Sequence, residues 1–173
     1  MRSIPDPGFV GDDGEVRPEV AAALAGYDSD PDGRHAATLA VLQDARVLVP
    51  VLAVLGEVEH DDQGLAHDKT SDMATVLMRG RDGRTALLAF TGTASLHRWN
   101  PEARPVPVPL TKAAEAAVQD GAEAILLDVA GPVPFVVETE DLHDLASGHR
   151  LVRVGDGLDD GVSGRYGWVT PGP

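Results

Sequence analysis

The stretch Thr85-Ala86-Leu87-Leu88-Ala89-Phe90-Thr91-Gly92-Thr93-Ala94-Ser95-Leu96-His97-Arg98-Trp99-Asn100-Pro101 decides the fold. Its first seven residues are apolar but for the threonines at either end, and are bounded like a buried strand rather than a helix. Gly92 breaks the strand and permits a turn, Thr93 offers a helix cap, and Ala94 to Trp99 make one short helix that stops at Pro101. Phe90 and Trp99, two of the chain's few aromatics, are expected as structural anchors of this corner rather than as a ligand-stacking pair. Immediately upstream, Arg81-Asp82-Gly83-Arg84 carries the Asp-Gly signal of a hairpin, so Asp72 to Arg79 is expected to pair antiparallel with the strand Thr85 to Thr91.

Further upstream, Arg46 to Leu55 is a nearly continuous apolar run, expected as a buried strand. Pro50 cannot donate to a ladder and marks an edge, a bulge or a strand end. Helices are expected from Pro18 through Ala25, ended by Gly26, and from Arg34 to Asp44, with a turn-rich linker at 28–33 between them. Downstream, Pro101, Pro105, Pro107 and Pro109 impose an extended connector along a sheet edge. A helix Lys112 to Gln119 capped by Thr111, strands Glu123 to Val129 and Val133 to Val137, a helix from Thr139 to Gly148 and a short strand Leu151 to Val154 complete the pattern. The expected fold class is α+β, a mixed, mainly antiparallel sheet of about five strands with helices mostly on one face. Residues 1–17 suggest a flexible acidic arm, and 155–173 a poorly ordered glycine-rich tail.

Leu48-Val49-Pro50-Val51, Leu88-Ala89-Phe90-Thr91, Leu96, Trp99, Pro101 and Ile125-Leu126-Leu127-Asp128 together resemble the SseB N-terminal-domain family, of the enhanced-serine-sensitivity type. The resemblance spans roughly 34–147 within an expected domain of 18–154. It implies a fold built from these structural motifs and supplies no catalytic residues to transfer. The many Ala, Val, Arg, Asp and Gly and few Lys, Ile and Asn fit an actinobacterial member.

Composition excludes several functions. A net charge of −14 argues against nucleic acid and anionic membranes as partners, since both need clustered Lys and Arg. With no cysteine, disulfides, thiolate metal sites and cysteine nucleophiles are ruled out. No apolar run reaches the ~20 residues of a membrane helix, and Met1-Arg2-Ser3-Ile4-Pro5 opens no apolar signal core, so a cytoplasmic location is expected. An unknown protein partner is expected, self-association is left open, and no cofactor is called for.

Three candidate chemistries remain. Thr91, Gly92, Thr93, Ser95 and His97 follow a strand and could bind a small ligand or anion, although they lack the glycines and lysine of a phosphate loop. His60, Asp62 and His67 in the polar loop 57–71 offer nitrogen and oxygen metal ligands, but in no recognised spacing. Ser95 with His97 or His143 and Asp128 would form a nucleophile set, yet no G-x-S-x-G elbow surrounds it. The sequence therefore favours a non-enzymatic interaction or binding module, with the small-ligand or anion site at the Thr91–His97 corner as the alternative.

Overall fold

A computed structural model describes residue 9 and residues 11–53, 73–155 and 164–172. The architecture is α+β, but the strands among the described residues form three small, mostly antiparallel sheets rather than one sheet of five.

Helices α1 (Pro18–Ser29) and α2 (Pro31–Leu42) are separated by a single residue and pack against each other, the Thr38 hydroxyl donating to Ala23 O at 3.2 Å. The expected linker at 28–33 shrinks to Asp30, whose carboxylate accepts from the Gly33 amide and caps α2. Gly26 does not end α1; a glycine inside a helix costs only about 1 kcal/mol, and burial of Val20 and Leu24 outweighs that.

Strand β1 (Arg46–Ala53) is the centre of the first sheet, with β2 (Met73–Thr75) and β5 (Arg104–Pro109) on either side, both antiparallel. The proline-punctuated connector is thus a sheet edge. Its register pairs Val106 with Val49 and Val108 with Val47, leaving the donor-less prolines at the alternate positions that face away from β1. Pro50 is buried in β1, between Leu48 and Leu52. Leu48 exchanges two backbone hydrogen bonds with Phe90, at 2.7 and 2.9 Å, while Leu52 is in register with Ala74. The missing donor therefore falls where β1 changes partners.

The expected strand Asp72 to Arg79 divides at Val76: β2 joins the first sheet, and β3 (Leu77–Arg79) joins the second. That second sheet runs β3, β4 (Thr85–Ala89), β6 (Ala124–Leu127), β7 (Phe135–Val137). The Asp-Gly hairpin joins β3 to β4 as expected, with Gly83 at φ +87°, a conformation that costs glycine little. β4 and β6 are parallel, connected through α3 (Thr93–Trp99), β5 and α4 (Leu110–Gln119).

Alternation along these strands sorts the side chains into two cores. Val47, Val49, Leu87, Ala89, Ile125 and Leu127 face a large cluster that includes residues of α1, α2, α4 and α5 (Thr139–Ala146). Leu48, Leu88 and Phe90 face a small one with Leu96 of α3 and Ala103, against which Trp99 packs. The Phe90 and Trp99 rings lie 5.6 Å apart, so both aromatics anchor the corner. Part of the expected tail is ordered: β9 (Arg165–Val169) pairs with β8 (Arg150–Val154), Tyr166 and Trp168 pack on the large core, and the Trp168 indole donates to Asp141.

Candidate functional site

Because β4 and β6 are parallel and in register, their carboxyl ends finish side by side. Asp128, one residue past β6, donates its amide to Ala89 O at 3.0 Å and turns the chain at φ +50°, a left-handed conformation that aspartate tolerates better than most residues. Its side chain is fully buried and pointed at the first residues after β4. The Thr91 amide donates to Asp128 Oδ1 at 2.9 Å, the Thr91 hydroxyl to Oδ2 at 2.6 Å, and the Ser95 hydroxyl lies 2.6 Å from Oδ1. Gly92 O is a second acceptor for Ser95, at 2.9 Å.

The network continues through Arg46, the first residue of β1. Its side chain is only 3% exposed, and Nη1 donates to Thr91 O at 2.9 Å. Nε and Nη2 both reach the Asp12 carboxylate, and Nη2 also donates to Glu15 O at 2.8 Å. Burial alone pushes the Asp12 carboxyl up, but the Gly14 amide and the Arg46 and Arg17 guanidinium groups outweigh it and hold the group below its ordinary value. Residues 11–17, expected as a flexible arm, here include a segment laid across the corner: Gly14 O accepts from the Thr93 amide at 2.7 Å and from the Thr93 hydroxyl at 3.1 Å.

This contact revises the parts assigned to Gly92 and Thr93. Gly92 is extended, at φ −153°, so it is not needed for an unusual turn. A Cβ there would meet the Val16 amide nitrogen at 3.1 Å, so the missing side chain lets the arm approach. Thr93 does not cap α3; Gly92 holds the cap position and the Thr93 hydroxyl binds the arm. Thr111 and Thr139 likewise lie inside their helices, and the Thr139 hydroxyl donates to Glu123 O at 2.8 Å.

Above the Thr91–Ser95–Asp128 floor lies a cleft of about 370 Å³. Val16, Ala21, Leu24, Ala94 and Val133 form much of its wall, with Glu15 and Arg98 also lining it. Among the described residues, no buried side-chain nitrogen or oxygen lacks a hydrogen-bond partner.

Of the five corner residues singled out in the sequence, Thr91 and Ser95 meet on Asp128, Gly92 and Thr93 hold the arm, and His97 is exposed away from this network. The nucleophile set comes together only in part: Ser95 meets Asp128, while His97 and His143 are both exposed and neither bonds to Ser95. His60, Asp62 and His67 lie outside the described residues, among which no group of three His, Asp or Glu side chains could hold a metal. Sequence reasoning gave no site role to Arg46 or Asp12. The available signal was Arg46 itself, a lone cation opening a strand of apolar residues.

Fold and corner together define a small α+β domain with a parallel strand pair whose adjacent ends are tied by a buried carboxylate. The SseB protein N-terminal domain profile matches residues 20–144, more than two thirds of the chain, and the chain belongs to that family. No curated protein and no solved structure matches it. Among the described residues, no helix is long and apolar enough to cross a membrane.

Proposed function

We propose that the chain is a non-enzymatic, cytoplasmic binding module that receives an apolar side chain of a partner protein in the cleft beside the Thr91–Arg98 corner. The observation that carries this reading is the cleft itself, with apolar walls over a polar floor whose groups already bond one another. A volume of about 370 Å³ accommodates one large side chain or a small ligand. Catalysis by Ser95 would need an accessible hydroxyl activated by a histidine; Ser95 is instead buried, its hydroxyl bonds Asp128 and Gly92 O, and neither His97 nor His143 bonds to it. The absence of cysteine is compatible with a reducing compartment.

The same bonds favour a protein partner over an anion. The Thr91 amide and the Thr91 and Ser95 hydroxyls serve Asp128, and the Thr93 amide serves Gly14 O. An incoming anion would have to displace an internal carboxylate to use them. Thermal shifts with phosphate, nucleotides and carboxylates are therefore expected to be flat.

Ala94→Trp tests the reading directly. Ala94 is exposed on α3 and lines the cleft, so a large ring there fills the space without entering the core. Affinity capture from the source cells, quantified by mass spectrometry, should recover a protein with the unmodified chain and with Ala94→Ser but lose it with Ala94→Trp. Recovery of no partner, or a partner indifferent to Ala94→Trp, defeats the reading.

A further inference from the structure

We infer that Asp12 to Val16 occupies a peptide-recognition seat, and that this seat accepts in exchange an acidic peptide of the pattern Asp-any-Gly-any-apolar, bent at its glycine, from a partner protein. The inference rests on the reading of the chain as a binding module, but it uses a different surface from the cleft floor. Arg46 is the receptor. Its nearly buried guanidinium grips the Asp12 carboxylate through two nitrogens, adds the Glu15 carbonyl, and is aimed by Thr91 O. A planar fork closed on a carboxylate and a neighbouring carbonyl recognises both a charge and the course of a backbone.

The next contacts read position. Gly14 O takes both donors of Thr93, so the peptide backbone is fixed there whatever its side chains. A Cβ on Gly14 would fall 2.2 Å from the Thr93 hydroxyl oxygen, and the backbone stands at φ +78°, so the seat demands glycine. Gly92 leaves room for the Val16 amide beyond it. The segment meanwhile belongs to no helix or strand, and Val16 remains 36% exposed. It is thus held by polar contacts with a preformed surface rather than by burial of its own side chains. Because Glu15 and Val16 also line the cleft, an exchanging peptide would rebuild one of its walls. The tether keeps the chain's own segment at high effective concentration, so a partner reaches the seat only by competing with it.

Gly14→Val in the full chain separates occupant from receptor, because it bars the chain's own segment while leaving Arg46 and Thr93 unchanged. The probe is a fluorescent peptide spanning residues 9–17, titrated by anisotropy into the unmodified chain and the variant. Binding should be tighter to Gly14→Val than to the unmodified chain, and roughly tenfold weaker when the peptide carries Asp12→Asn, the loss of one charge-assisted bond. No binding to a Gly14→Val chain with a native circular dichroism spectrum overturns the inference, as does equal affinity for the Asn peptide. If Gly14→Val does not fold, Asp12→Asn in the chain takes its place, and it must bind the unmodified peptide more tightly than the parent does; equal or weaker binding overturns the inference. Failure here leaves partner capture sensitive to Ala94→Trp untouched, so the two readings fall separately.

Discussion

Removing the carboxylate of Asp128 should cost far more than neutralising it. In Asp128→Ala, the Thr91 amide and the Thr91 hydroxyl lose their acceptor at a buried site, whereas Ser95 keeps Gly92 O. Two orphaned buried donors at about 1–3 kcal/mol each give a loss of about 2–6 kcal/mol. Asp128→Asn keeps the shape and the tolerance of φ +50°. Its carbonyl can accept from the Thr91 amide and Ser95, and its NH₂ can donate to a Thr91 hydroxyl turned to act as acceptor. Only the charge assistance is lost, about 1 kcal/mol, partly offset by the smaller desolvation of a neutral group. Urea unfolding followed by Trp fluorescence and far-UV circular dichroism measures the difference. With m about 2 kcal/mol/M, the Ala midpoint should fall by about 1–3 M and the Asn midpoint by about 0.5 M. If Ala and Asn shift the midpoint equally, the hydrogen bonds are not what holds the corner. If Ala shifts it by less than about 0.5 M, water or a rearranged side chain satisfies the donors, and the floor of the cleft is not closed.

The arm should respond to acid. Asp12 has its folded-state value below the ordinary 3.8, so docking contributes fully above that pH and is lost as the pH falls through the folded value. The Thr93 and Gly14 amide resonances should therefore move together below the ordinary carboxyl range, and Asp12→Asn should abolish that step. Arg46→Met removes the buried cation but strands the Asp12 carboxylate and Thr91 O; a loss of about 2–4 kcal/mol in urea unfolding is expected, with faster amide exchange at Thr93. Phe90→Ala should cost about 3–5 kcal/mol because the ring is fully buried. A double-mutant cycle with Trp99→Ala should return a coupling of about 0.5–1.5 kcal/mol, and additivity would show that the rings are neighbours without a specific contact.

What could be read from the sequence was whatever has a local cause. The Asp-Gly hairpin follows from turn chemistry, the strand before Gly92 from apolar content, and the Phe90–Trp99 anchor from two large rings near a chain break. Sheet membership has no local cause. Asp72 to Arg79 looks continuous, and its division at Val76 depends on β1 and β4 lying in different sheets. The three threonines show how a correct residue type can mislead. Thr93, Thr111 and Thr139 each stand near a helix start, where a cap would be read, yet each lies inside its helix, and the hydroxyls of Thr93 and Thr139 bond to residues distant in sequence. Strand β9 was hidden by composition: glycine surrounds Arg165 to Val169, but Tyr166 and Trp168 are two apart and so share one face. Asp128 was visible as a charged residue ending the run Ile125-Leu126-Leu127, but its partners Thr91 and Ser95 follow a strand that only the parallel crossover brings alongside.

That crossover also accounts for the character of the corner. Two parallel strands ending together leave backbone amides and the first residues after both strands crowded at one point. Without a ligand these groups need internal partners, and Asp128 accepts from the Thr91 amide and hydroxyl and from Ser95. Arg46 then joins Thr91 O to the arm, so both sides of the corner are tied to fixed groups. A catalytic corner keeps a donor or a lone pair aimed at the space the substrate will enter. Here the buried polar atoms of the floor bond one another and apolar groups make up most of the wall, with Glu15 and Arg98 also lining it, an arrangement suited to holding a partner's side chain without acting on it.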